Sequence, residues 1–212
     1  MSAFQVLRLL SAPANLEEAL GVLPGPSFLS LSHQWPSESA RTSATAWLGH
    51  ADSKLFVLAY LPDAQIWSTA SGHNQKMWEL GDVFEMFFQA EGHAEYVEMH
   101  VTPSNYRLQL RFPDRNSVVR VRAGEAFEEF LLPDGSFLSE TAIRPEDWVV
   151  FASIPSSMLF GAKRDLSGRK CRFSFCRFDF DANSEEPVHS STSDYKELDF
   201  HRIEEWGTLV FE

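Results

Sequence analysis

Two cysteines in 212 residues rule out a scaffold built on disulfides. Cys171 and Cys176 lie in one strand-like run, and five extended residues at ~3.3 Å each span about 16 Å, well past the ~7 Å limit between bridged α-carbons. They are read as free thiols, which fits a reducing compartment. Positive charge is also scarce, with 18 Lys and Arg against 30 Asp and Glu, a net charge of −12. That balance excludes a nonspecific surface for nucleic acid or anionic membrane. No apolar run reaches the ~18 residues of a membrane span. The short apolar patch at residues 4–10 has no basic region before it, so no secretory leader is visible, and with Met1 as native start the expected place is the cytoplasm. There is no internal repeat and no linker, so residues 1–212 read as one domain.

What is present favours strands. Hydrophobic residues make up 44% of the chain, enough for one sizeable core, and the 18 Phe and 6 Trp supply strand formers with rings to spare. Residues 1–27 read as an irregular lead-in, with a capped helical turn at 15–20 broken by the Gly and Pro that follow. Strands are expected at 27–32, 44–48 and 54–60, the last apolar on both faces and therefore central. A long connection, 62–80, carries Trp67, His73, Asn74, Gln75, Lys76, Met77 and Trp78; loops of that length are more often functional or mobile than filler. Further strands are expected at 106–112, 117–122, 148–154 and 171–180, with a helical turn at 156–160, a loop at 181–194 and a closing strand at the end. The expected fold is all-β, an antiparallel β-sandwich of jelly-roll or immunoglobulin-like type with little helix.

The organising stretch is residues 78–88, Trp-Glu-Leu-Gly-Asp-Val-Phe-Glu-Met-Phe-Phe. From Asp82 it alternates, with Phe84, Met86 and Phe88 on one face and Val83, Glu85 and Phe87 on the other. After a loop containing Gly92, Val97, Met99 and Val101 alternate with Tyr96, Glu98, His100 and Thr102. Pairing the apolar faces inward puts Glu85 with Glu98, His100 and Thr102, and leaves Trp78 to lean over them. Such a face suits a ligand with apolar ring faces and a polar rim; the competing reading is a solvated outer face. In residues 171–180 the apolar parity changes after Phe175. A β-bulge at Phe175-Cys176 would explain this, as would a strand buried on both faces.

The succession of Lys54-Leu-Phe-Val-Leu-Ala-Tyr, residues 78–88, Tyr96-Val-Glu-Met-His-Val-Thr-Pro, residues 148–155, Phe173-Ser-Phe-Cys-Arg and the terminal Phe200-His-Arg-Ile-Glu-Glu-Trp-Gly-Thr-Leu-Val-Phe resembles the family 9 carbohydrate-binding modules and the related DOMON sandwiches. That resemblance implies a non-catalytic module recognising a mono- or oligosaccharide, or a glycan end, by an aromatic clamp with polar strand residues. Trp78 corresponds to one clamp ring and Glu85 to the strand acid. His100 and Thr102 fall where sugar binders carry Arg and Asn, and Phe200 where they carry Trp. Trp67 and Glu98 join them as candidate ligand contacts. His in place of Arg removes a bidentate donor.

Three alternatives accompany this reading. DOMON relatives hold haem, but Met99 and His100 face opposite ways and cannot share one iron, which leaves Met77 with His100 or His73. Glu85 and Glu98 could be argued as paired glycosidase carboxylates, though no nucleophile or metal motif accompanies them. A sugar site that has degenerated into a structural or interaction domain is the third. No cofactor is expected. Family relatives bind calcium, which directs attention to Asp179, Asp181, Asp194 and Glu197, although their spacing is not that of an EF-hand.

Overall fold

The computed structural model describes residues 3–35, 38, 41–181 and 186–212. Strand β1 (Phe4–Arg8) is followed by helix α1 (Leu16–Val22), whose cap Asn15 accepts a hydrogen bond from the Glu18 N–H. Next come β2 (Leu29–Leu31), β3 (Ala44–Ala51), β4 (Lys54–Pro62), β5 (Val83–Ala90), β6 (Tyr96–Val101) and β7 (Arg107–Phe112). Helix α2 (Arg115–Arg122), β8 (Leu138–Ile143), β9 (Asp147–Pro155), helix α3 (Ser156–Phe160), β10 (Lys170–Asp179), β11 (Val188–Ser191) and β12 (Gly207–Phe211) complete the order.

The strands form a sandwich whose two sheets share β1. One sheet runs β7-β6-β5-β10-β12-β1 and the other β1-β3-β4-β9-β8, with β11 on β10 and β2 on β3. Phe4 to Val6 pair with β12, and Leu7 and Arg8 then pair with β3. Both pairings are parallel, so the sandwich is mixed rather than wholly antiparallel. The lead-in is also less irregular than its sequence implies. Val6 alone is buried in β1, and one inward residue is too little pattern to announce a strand held by its backbone.

The alternation in β5 and β6 is realised in three dimensions. Phe84, Met86, Phe88, Val97, Met99 and Val101 enter the core between the sheets with Val57, Val150, Phe173 and Phe175. The opposite face of the same sheet buries a second cluster, including Phe87, Tyr96, Leu110, Phe112, Cys176, Phe200 and Trp206. Strand β10 carries one parity into each core. Its register against β5 is unbroken from Cys171↔Ala90 to Phe178↔Val83, so there is no bulge at Phe175-Cys176. The strand is buried on both faces, and its other edge passes from β12 to β11 just there.

Two more expectations change. Residues 117–122 are helical, not a strand: Asp114 accepts the Ser117 N–H at 3.0 Å and starts α2. Val118 and Val121, three apart, turn inward while Val119 stays exposed. The expected loop at 181–194 contains β11, and residues 182–185 of it lie outside the described residues.

The connection between β4 and β5 folds back on itself. Ser68 bridges Gly81, the Asp82 N–H donates to the Trp67 carbonyl at 2.7 Å, and Thr69 N–H donates to Leu80 at 2.7 Å. Gly81 is required, since its φ is +127° and a Cβ there would meet the Trp67 carbonyl oxygen at 2.5 Å. At the foot of this strap, buried Arg177 lies 2.9 Å from Asp63 and 3.3 Å from Asp179, and donates to the Pro62 carbonyl at 2.6 Å. Buried Asp82 accepts the backbone N–H groups of Trp67 and Phe180.

Arg177→Met should cost about 3–5 kcal/mol in denaturant unfolding, because Asp63 and Asp179 would remain buried without their cation. Asp82 gives a pH-dependent expectation. Burial raises its carboxyl to about 8, with Asp63 adding to the shift and the two backbone donors opposing it. A folded pKa above the unfolded value near 4 favours the folded chain most at acid pH, and that contribution is lost as pH rises toward 8. Asp82→Asn removes this titration and satisfies only one of the two N–H groups, costing about 1–3 kcal/mol. The wild-type advantage should therefore be larger at pH 5 than at pH 8.5 in paired denaturation curves.

Candidate ligand-binding site

The β5–β6 pairing sets Glu85 opposite His100 and Phe87 opposite Glu98. On the other side, Cys176 of β10 is the cross-strand partner of Glu85. Because the inward parity is filled by phenylalanine and methionine, these polar residues must project from the outer face. That face is not solvated. The strap before β5, helix α2, the short turn Phe127–Phe130 and the segment preceding β12 cover it and contribute to the second core. Between them is a cavity of about 340 Å³. Trp78, Phe127, Phe178 and Phe200 supply aromatic wall; Leu110, Phe112, Val118, Val121 and Leu198 add apolar wall. The polar lining is Glu85, Glu98, Arg122, His189, Asp199 and His201.

Below the cavity the charges are tightly linked. His100 Nε2 lies 2.7 Å from Glu98 Oε1 and 3.3 Å from Glu85 Oε1, with all three residues at most 4% exposed. The Trp78 ring meets the His100 imidazole edge-on, with centroids 5.6 Å apart. Burial raises the Glu85 carboxyl to about 8 despite the His100 charge, and Glu98 adds to the rise. Burial works against ionising Glu98 too, but His201 and the hydrogen bond from His100 outweigh it and lower its pKa. Burial disfavours the His100 cation, yet the two glutamates raise its pKa. The three groups titrate as a coupled set, in which Glu85 holds its proton more tightly than an ordinary carboxyl while His100 favours Glu98 as the carboxylate. His201 is hydrogen-bonded through Nδ1 to Tyr96 Oη at 2.9 Å, and burial lowers its pKa. Its Nε2 is 3.7 Å from Glu98 Oε2. At the rim, Arg122 donates to Asp199 at 2.9 Å.

Of the residues singled out from sequence, Trp78, Glu85, Glu98 and Phe200 line the cavity together, and His100 lies directly behind the two glutamates. Thr102 and Trp67 lie elsewhere. The Thr102 hydroxyl accepts the Tyr106 N–H and closes the β6–β7 turn. Trp67 sits at the base of the strap, its ring 5.9 Å from that of Phe180. Phe200 is buried among Trp35, Phe178, His189 and Tyr195, and its carbonyl accepts hydrogen bonds from Tyr195 Oη and Trp206 Nε1. Sequence reading misses the contributions of α2, Phe127, Asp199 and His201. The Asp114-x-x-Ser117 capping pattern was the available signal for the helix.

Among the described residues, two clusters bring potential metal donors within 4.8 Å of one another: Glu85, Glu98 and His100, and Asp63, Asp82 and Asp179. The second already encloses Arg177, with Arg41 Nε 3.3 Å from Asp179. Asp179, Asp181, Asp194 and Glu197, the set considered for calcium, do not converge. Asp179 and Asp181 share Arg41, Asp194 lies by His33, and Glu197 by Arg202, so these four do not fit a calcium shell. A haem reading fits no better. Met77 is buried in the second core, His73 Nδ1 accepts the Arg107 N–H, and His100 Nε2 is held by two glutamates.

The fold is that of a β-sandwich of the family 9 carbohydrate-binding module type. No family model and no curated protein matches the chain. Among solved structures it is similar to a candidate carbohydrate-binding protein from Bacteroides uniformis, with TM-score 0.77, 18% identity and 99% of each chain covered. It is also similar to a family 9 carbohydrate-binding module from Caldicellulosiruptor kristjanssonii, solved in complexes with cellotriose and with glucose. Both comparisons give TM-score 0.66 and 15% identity over all of this chain, and cover 94% and 96% of the module.

Proposed function

We propose that the chain is a non-catalytic saccharide-binding module whose ligand occupies the cavity between Trp78 and Phe200. The observation that carries this reading is the mixed lining: aromatic walls above two buried glutamates and His201, on a fold shared with modules solved with bound sugars. A pyranose offers apolar C–H faces to rings and a rim of hydroxyls to carboxylates and imidazole, and the cavity supplies both. Glu98 Oε2 is buried without a hydrogen-bond partner, so a ligand hydroxyl donating to it would remove a standing desolvation cost. The same geometry argues against glycoside hydrolysis. Glu85 and Glu98 grip one imidazole from the same floor, whereas hydrolysis needs carboxyl groups on either side of the scissile bond.

Thermal-shift and calorimetric screening against mono- and disaccharides tests the proposal. A sugar at 100 times its Kd should add about 2.7 kcal/mol, roughly 5–10 °C in Tm. Trp78→Ala should weaken that sugar at least tenfold, about 1.4 kcal/mol, while the folded chain persists. If no neutral saccharide binds the wild type, the reading fails.

A further inference from the structure

We infer that the floor of the cavity is a binding site for a divalent ion of the zinc class, held by Glu85, Glu98 and His100 with His201 alongside. Three donor atoms from adjacent strands converge on one point: His100 Nε2 is 2.7 Å from Glu98 Oε1 and 3.3 Å from Glu85 Oε1, and all three atoms lie within 4.8 Å of each other. Around a tetrahedral ion with bonds of 2.0–2.1 Å, neighbouring donors stand roughly 3.3 Å apart. The His100–Glu85 edge already has that spacing, and the tighter His100–Glu98 edge needs to open by about 0.6 Å. One of its oxygens also lacks a partner: Glu98 Oε2, in a residue 4% exposed, accepts no hydrogen bond.

His201 is arranged as a neighbouring donor. Tyr96 engages its Nδ1 at 2.9 Å, which turns Nε2 toward Glu98 Oε2 at 3.7 Å. With Nδ1–H donating to the Tyr96 oxygen, Nε2 would be left unprotonated for a metal. Imidazole with two carboxylates suits zinc, whereas calcium and magnesium require six or more oxygens. The remaining position would open into the cavity, where a water or a ligand hydroxyl completes the shell. This seat lies beneath the space assigned to a saccharide, so ion binding and saccharide binding are measured separately.

The full chain, stripped by chelator and titrated calorimetrically with Zn2+ in the absence of sugar, should take up one ion. Glu85→Gln and Glu98→Gln keep the side-chain shapes, and each should weaken uptake by more than the ~10–100-fold that loss of an outer supporting contact costs. X-ray absorption on the wild-type zinc complex requires no variant and should show a nitrogen and oxygen shell with histidine scattering. The inference is overturned by failure to bind a stoichiometric ion, by undiminished binding in the folded double variant, or by a sulfur shell, which would place the ion at Cys176. Saccharide titration with chelator present reports on the cavity reading independently.

Discussion

Strand β5 is covered on both faces, and the site exists because of that constraint. One parity of the strand fills the sandwich with Phe84, Met86 and Phe88. The other must then hold Glu85 in a place without water, where a lone carboxylate is costly and has to find partners. His100 and Glu98 on the neighbouring strand are those partners, and the β5–β6 register sets His100 directly opposite. Everything laid over that face, from the strap to α2, both shelters the cluster and shapes the space above it.

The same logic recurs at the strap's foot, with a different solution. There Asp63, Asp82 and Asp179 surround Arg177, a permanent cation with five donors in a fixed fork. Under the cavity the basic partner is an imidazole, which can gain or lose a proton. The two buried acidic clusters thus differ in kind. One is closed by a group whose charge does not change, the other by a group that titrates, beneath glutamates that line a cavity.

Much of this was legible in the sequence, and for a physical reason. Period-two alternation over residues 82–88 and 96–102 fixes which side chains share a face, so the meeting of Glu85, Glu98 and His100 follows once the two strands pair. What alternation could not show is how the outer face is covered. Val118 and Val121 read as strand residues until Asp114 is recognised as a helix cap, and with α2 misplaced the face looks solvated instead of roofed. Thr102 and Trp67 show the opposite limit. Their types suit a ligand, but Thr102 closes the β6–β7 turn and Trp67 stands partly exposed at the strap's base, away from the cavity lining. The parity change after Phe175 is as readily explained by a bulge as by two cores, and only the unbroken register with β5 decides it.

Strand β1 also bears on how the chain reaches this structure. Phe4 to Val6 pair with Leu209 to Phe211, and Leu7 and Arg8 pair with β3, so the seam between the sheets joins residues near opposite ends of the sequence. Such contacts have close to the greatest sequence separation the chain allows, and forming them requires closing the largest loop before any pairing repays it. During synthesis, β1 can dock on β3 early, but its other edge waits until β12 has been made. Until then the β10 edge that receives β12 is an unpaired template, the kind of surface through which nascent β-sandwiches associate wrongly. Docking of the five-residue β12 between β10 and β1 is therefore the step that joins the two sheets.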